Sequence, residues 1–479
     1  MPDLNFSSVH DQRSWVAQGE ITSRELVGHC LAQIARLDPT LNAFSAVLHD
    51  EARSEADRLD AALRDGTQPG PLHGVPIAVK DENDVRGVPT AYGGASVTTP
   101  ATADSEVVRR LRTSGAVIIG KTRMPEFGIW PYTETAAHGW TRNPWDPQRS
   151  PAGSSGGTAA AVASGMVAAG IGGDGGGSIR LPSSWCGLFG LKPQRGRVST
   201  SPNRDLWRAL GTLGPLTRTV ADSALIYDVI SGTTAVDRFH AEPLSGSFLD
   251  AATRPPERLR IRMSTQNPAG DGPLGGPAAD SESVAALHLL ADRLRDAGHT
   301  VTESDPDYPL LSVPFSVQVA TGVAEEAERV EHPTLLEQHT RRIARVGRVA
   351  RRGVQRAERQ ADRIASTFLH ELFADFDVLL TPTTPTTAVE VGQLDRHGFV
   401  GVLRAASATS SFTSPWNVLG NPAAAIPIGL DGTGLPQSAQ LVGPADSELL
   451  LVSLAAEIEG LVEFGKHRPA ASTYPSTDA

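Results

Sequence analysis

Val75-Pro76-Ile77-Ala78-Val79-Lys80-Asp81 is an apolar run that ends abruptly on a lysine and an acid. Five apolar residues bounded in this way predict a buried strand. Ala116-Val117-Ile118-Ile119 repeats the pattern, and Glu106 to Thr113 between the two predicts a helix. Strand, helix and strand in that order predict an α/β layer architecture. Upstream, Thr22-x-x-Glu25 fits a capping box. It opens a helix in which Leu26, Val27, Cys30, Leu31, Ile34 and Leu37 recur at helical spacing and which Pro39 is expected to end. Helices are also predicted over 51–63, 157–166, 220–230 and 283–297, and a strand over 377–381. The Gly/Pro-rich stretch 268–280 reads as a flexible surface loop and 468–479 as a frayed tail. That loop is not flanked by two self-sufficient patterns, and no internal repeat is visible. A single domain over 1–479 follows, with its core at about 70–230 and 370–465.

The formal net charge of −11 speaks against a nucleic-acid-binding surface, since phosphate contacts need a basic face. No apolar stretch is long enough to span a membrane, and the start of the chain lacks the basic and apolar segments of a signal peptide. The two cysteines, Cys30 and Cys186, are too few for a disulfide framework or a Cys-based metal site. None of the thirteen histidines forms a His-x-x-x-His pair, so no metal and no cofactor is implied, and a cytoplasmic location is expected. Arg341, Arg342, Arg345, Arg348, Arg351, Arg352, Arg356, Arg359 and Arg363 crowd one expected helix. In an acidic protein this run reads as a solvated face paired with Glu358, Asp362 and other acids nearby rather than as a polyanion or membrane contact.

The chain holds only four lysines (Lys80, Lys121, Lys192 and Lys466) among 43 Lys and Arg. Arg stays protonated at any working pH, whereas a buried Lys can be driven neutral and act as a base. Such a chain keeps Lys where Arg cannot substitute. Downstream of Lys80 lie Gly153-Ser154-Ser155-Gly156-Gly157 and Gly175-Gly176-Gly177-Ser178-Ile179-Arg180. The second stretch is too glycine-rich for regular structure. Ser178 is a candidate nucleophile, Ser154 a proton relay and Lys80 the base. Backbone N–H groups of Gly175, Gly176 and Gly177, just before Ser178, are candidate donors to an oxyanion. Gly172 to Ser178 could instead cradle a phosphate, but it lacks the Gly-Lys-Ser/Thr ending of a P-loop and the spacing of a dinucleotide fingerprint. Neither serine sits in a Gly-x-Ser-x-Gly elbow, which disfavours a Ser-His-acid triad.

These residues resemble the amidase signature family. Leu72-His73-Gly74 through Lys80-Asp81 looks like its catalytic-lysine strand, and Gly120-Lys121-Thr122 through Gly128 like its substrate-side loop. Pro151-Ala152-Gly153-Ser154-Ser155-Gly156-Gly157, Gly173-Asp174-Gly175-Gly176-Gly177-Ser178-Ile179-Arg180-Leu181-Pro182 and Pro415-Trp416-Asn417 follow in the family's order. The resemblance implies a single α/β/α sandwich around a large mixed, mostly parallel twisted sheet. It also implies a Ser178-cisSer154-Lys80 triad with the oxyanion held by N–H groups of Gly175 to Ser178, Asp174 and Arg180 bracing that turn. Pocket walls are expected in variable segments, here Met124, Phe127, Trp130, Tyr132, Trp185, Trp207 and Trp416, with Phe315 to Ala320 nearby. Gly175, Ala152, Thr158 and Arg123 depart from common family residues and bear on substrate preference. The implied activity is hydrolysis of linear amides, and possible substrates include carbamates and esters, with water as second substrate. The expected state is a monomer or homodimer. The same signature occurs in the amidotransferase subunit that amidates misacylated tRNA, which the acidic balance disfavours. A scaffold without activity is disfavoured by the joint presence of Lys80, Ser154 and Ser178.

Overall fold

The computed structural model describes residues 4–270 and 276–470. The strands of its main sheet are β1 (Phe44–Val47), β2 (Pro76–Lys80), β3 (Val117–Thr122), β4 (Ala169–Asp174), β5 (Phe189–Lys192), β6 (Thr212–Thr217), β7 (Arg260–Met263), β8 (Thr300–Glu303), β9 (Val378–Pro382), β10 (Ala423–Leu430) and β11 (Pro436–Val442). They form one eleven-stranded sheet in the order β1-β3-β2-β4-β6-β5-β10-β11-β9-β7-β8. Every residue of β2 to β6 is buried, as a sheet covered on both faces requires. Side chains alternate across the sheet, so Ile77 and Val79 of β2 enter one core and Ala78 the other. The first core is closed by helices Val220–Ile230, Ser281–Asp296 and Glu448–Val462. The second is closed by Ser23–Leu41, His49–Arg64 and Gly156–Ala163. This is the α/β/α sandwich expected, and the strand-helix-strand unit that suggested it is present as β2, helix Glu106–Thr113 and β3.

The balance of strand directions differs from expectation. Only β3–β2, β2–β4, β9–β7 and β7–β8 are parallel; the other neighbours are antiparallel. Three of the six antiparallel pairings involve β10 or β11, which form a hairpin whose connection carries the turn signal Asp431-Gly432-Thr433-Gly434, with Gly434 at φ +85°. Pro39 does not end its helix, which continues to Leu41. Proline so near a C-terminus removes a single intrahelical bond, and the Asn42 N–H closes the end on the Asp38 carbonyl at 2.8 Å.

The arginine run forms two helices, Gln338–Ala350 and Val354–Leu372, joined by a turn at Arg351–Gly353. Glu358 and Asp362 do not pair within it. Glu358 is buried and binds Arg208 and Arg238, and Asp362 binds Arg195. Arg351 pairs with Glu328, and Arg342 lies over the Phe399 ring. Of the expected loop 268–280, residues 271–275 lie outside the described residues, as do 471–479 of the expected tail. Asn267, just before that loop, donates to the Pro277 carbonyl at 2.8 Å and to Ser411 Oγ at 3.0 Å. Among the described residues no helix is long and apolar enough to cross a membrane.

Candidate active site

β2 and β4 are parallel neighbours, with Val79 opposite Ile171, so both chains leave the sheet at the same edge. The carboxyl ends of parallel strands are where ligands gather in such sheets. β2 delivers Lys80 there, and β4 delivers Asp174 and the glycine turn that carries Ser178. Ser154 arrives from the segment before helix Gly156–Ala163, after a cis Gly153–Ser154 peptide bond. A side chain at residue 153 would come within 2.7 Å of the Tyr132 backbone nitrogen, so only glycine allows this approach. Lys80 Nζ donates to Ser154 Oγ at 2.8 Å and to the Gly173 carbonyl at 3.5 Å. Lys80, Ser154 and Ser178 line one small cavity.

Lys80 is 1% exposed. Burial pushes its ammonium below the ordinary lysine value, against the opposing pull of Glu82 and Asp174. Glu82 Oε1 stands 3.3 Å from Nζ. Behind the turn, Asp174 is the hub. Burial pushes its carboxyl up, but the Arg180 guanidinium overrides this and holds it well below the usual range. Arg180 reaches Asp174 through Nε and a terminal nitrogen, both at 3.0 Å, and also donates to Gln440 and Asn417. Lys192 lies buried beyond this pair. Burial, with Arg180 nearby, brings its ammonium down to about 7.

The glycine turn is irregular, as its composition predicts. Gly177 has φ +127°, a conformation that excludes other residues. Its N–H donates to Asp174 Oδ1 at 2.7 Å and is therefore committed to the brace. Among the described residues no hydrogen bond takes the N–H groups of Gly175, Gly176 and Ser178, the other members of the expected donor set. Ile179 N–H is also taken, by Asp174 Oδ2 at 3.1 Å.

Two cavities meet at Ser178. The larger, about 330 Å³, is apolar, with Ile129, Trp130, Leu181, Phe315, Val319 and Phe399 in its wall. The smaller, about 40 Å³, holds Lys80, Ser154 and Glu82. Of the residues expected in the pocket, Trp130 lines the first, Met124 and Phe127 line the second, and Trp207 lines both. Tyr132, Trp185 and Trp416 line neither. Tyr132 and Trp185 pack on each other with ring centroids 6.4 Å apart, and Trp416 Nε1 donates to the Phe412 carbonyl at 2.9 Å. All three are buried inside the fold, with their polar tips bonded there. No histidine lines either cavity.

Sequence reasoning missed Glu82, Thr212 and Glu326 in the small cavity and Phe399 in the large one. Glu82 lies two residues after Lys80, but it is a turn, closed by the Asn83 N–H on the Lys80 carbonyl at 3.0 Å, and not strand alternation that brings it there. The others come from distant segments and carried no signal.

Residues 25–452 match the family model described as Amidase. The chain is 43% identical over 475 residues to "Putative amidase AmiB2" of Mycobacterium tuberculosis (strain ATCC 25618 / H37Rv), covering 98% of this chain and 99% of that one. It is 33% identical over 496 residues to a glutamyl-tRNA(Gln) amidotransferase subunit from Prochlorococcus marinus (strain MIT 9303), covering 98% of this chain and 100% of that one. The fold superposes on the structure of 6-aminohexanoate cyclic dimer hydrolase with a TM-score of 0.90 at 31% identity, covering 98% of this chain and 99% of that one.

Proposed function

This chain belongs to the amidase signature family, and from that membership we propose that it hydrolyses linear carboxamides through an acyl-enzyme on Ser178. Carbamates and esters are further candidate substrates, since the same attack serves any acyl carbonyl the cavity admits. The observation that carries the reading is the 2.8 Å hydrogen bond from a fully buried Lys80 to Ser154, at a cavity shared with Ser178. Neutral Lys80 accepts a proton from Ser154, which accepts one from Ser178 as it attacks. The tetrahedral oxygen meets the N–H groups of Gly175, Gly176 and Ser178. The proton returns through Ser154 to the leaving nitrogen, and water then cleaves the ester by the same relay. Lowering of the lysine value by burial suits Lys80 to this exchange, because a base works best when its pKa lies near the working pH.

The test is hydrolysis by the purified chain alone of an anilide, an alkyl amide, an ester and an aryl carbamate, each beside Ser178→Ala. Release that depends on Ser178 is expected; release unchanged in the variant would move the nucleophile elsewhere. The full-length likeness to one component of an amidotransferase supports a second reading, in which the chain works only within a complex. Copurification with a second protein chain, together with no turnover by this chain alone, would favour it.

A further inference from the structure

Only one of the two cavities at Ser178 reaches the base. Trp207 and Gly128 line both and stand between them. Amide cleavage needs a proton on the departing nitrogen. Under the reading above, that proton comes from Ser154, whose residue lines the smaller cavity and not the larger. The nitrogen must therefore face the smaller cavity, and the acyl group must occupy the apolar one.

The smaller cavity is furnished for such a group. Thr212, 4% exposed, has a hydroxyl with no hydrogen-bond partner among the described residues. Glu82 Oε1 also makes no well-angled hydrogen bond, although it lies 3.3 Å from Lys80 Nζ. Its carboxylate is wedged against Gly173, where a Cβ would come within 2.1 Å of it. Both atoms accept hydrogen bonds, and leaving them unmet in a buried site is costly. The other charges facing this space are matched: Asp174 by Arg180 and Glu326 by Arg329 at 3.1 Å. When Lys80 is neutral, Glu82 alone lacks a counter-charge, and the space favours a group that donates hydrogen bonds. A buried water needs roughly 10–15 Å³ of such volume. The 40 Å³ here thus admits a group of few atoms, and Tyr92, Phe127, Asn203 and Glu326 connect it to an outer cavity of about 210 Å³.

We propose that the smaller cavity is the subsite for the leaving amine, selective for ammonia and slim, unbranched primary amines whose N–H groups donate to Thr212 and Glu82. This rests on the Ser178, Ser154 and Lys80 roles given above. The Ser178 Oγ–carbon bond forms, the carbon–nitrogen bond breaks, and the Ser178 proton passes through Ser154 to the nitrogen. The amine then leaves past Glu326.

The experiment compares octanamide, N-methyloctanamide, N-tert-butyloctanamide and methyl octanoate on wild type, Thr212→Val and Thr212→Ser. Wild type should prefer octanamide and the N-methyl amide over the tert-butyl amide by about 100-fold or more in kcat/KM. Thr212→Val should slow octanamide about 10-fold, the size of one hydrogen bond, while methyl octanoate stays within about twofold. Thr212→Ser should restore the amide rate. Equal loss on amide and ester would make Thr212 a structural residue and overturn the subsite. Equal turnover of the tert-butyl amide would do the same while leaving the catalytic roles intact. Turnover of none of the four would overturn those roles and the subsite together.

Discussion

Lys80 and Lys121 stand on adjacent parallel strands, with Val79 opposite Lys121, and are 1% and 0% exposed. Their surroundings differ. Lys121 pairs with Asp81 at 2.9 Å and donates to the Pro89 carbonyl at 2.9 Å and Thr90 Oγ1 at 3.0 Å. Its three ammonium hydrogens have three acceptors. Asp81 in turn accepts from the Gly93 N–H at 3.2 Å, so this pair ties β2, β3 and the following loop together. Lys80 gives its short hydrogen bond to a hydroxyl, which can pass a proton onward. Burial alone does not make a base. The hydroxyl that Lys121 meets is itself committed to Asp84 at 2.7 Å, and Asp81 holds the ammonium, whereas the hydroxyl that Lys80 meets opens on the cavity shared with Ser178.

The contrast breaks most directly at Ser178, the proposed nucleophile. Ser178→Ala should lower kcat by at least about 10⁴-fold with an unchanged thermal unfolding midpoint. Substantial residual activity would mean that Lys80 and Ser154 serve another group. Next in size, Lys80→Arg should be nearly as damaging as Lys80→Ala, on the order of 10³-fold, because arginine cannot become the neutral base. An active arginine variant would erase the distinction between the two lysines. Lys121→Met should act on the other axis. Leaving Asp81 buried and uncompensated costs about 3–5 kcal/mol in denaturant unfolding, while kcat per folded molecule should change less than tenfold. A kcat loss like that of Lys80→Ala would place Lys121 in the chemistry.

Smaller effects sharpen the comparison through pH. Under the proposed relay neutral Lys80 does the work, so kcat/KM should rise with pH through its folded value and level off before the ordinary lysine range, because burial lowers that value. An acidic optimum would contradict this. Lys192 supplies the stability counterpart. Its folded value of about 7 lies below the unfolded one, so the unfolded state binds more protons between the two. The cost of burying its charge is fully present below pH about 7 and fades as pH climbs to the ordinary lysine value. The unfolding midpoint of Lys192→Met relative to wild type should therefore be most favourable near or below neutral pH and lose that advantage above it. A pH-independent difference would show that packing, not charge, dominates at this position.

The scarcity of lysine was a productive signal, since Lys80, Lys121 and Lys192 are all buried. It could not rank them, because the ranking depends on partners brought in from elsewhere. Similarly, the glycine turn was legible as a place where N–H groups converge. That Gly177 is taken by Asp174 was not, because the competing acceptor is set by how Arg180 and Asn417 hold the carboxylate. The aromatic residues divided for the same reason. Trp130 and Trp207 reach the cavities, while Tyr132, Trp185 and Trp416 satisfy their polar tips within the core.

By itself, the sequence determined the α/β layering, the elements that carry the motifs and the candidacy of Lys80, Ser154 and Ser178. These depend on apolar periodicity and on chemistry held within short segments. Only the tertiary structure decided that the sheet is largely antiparallel, that Ser178 stands between a large apolar cavity and a small one that holds Lys80, and that Glu82 and Thr212 line the latter. Those features arise where strands far apart in the chain come side by side, and no local pattern encodes which distant side chain will face which.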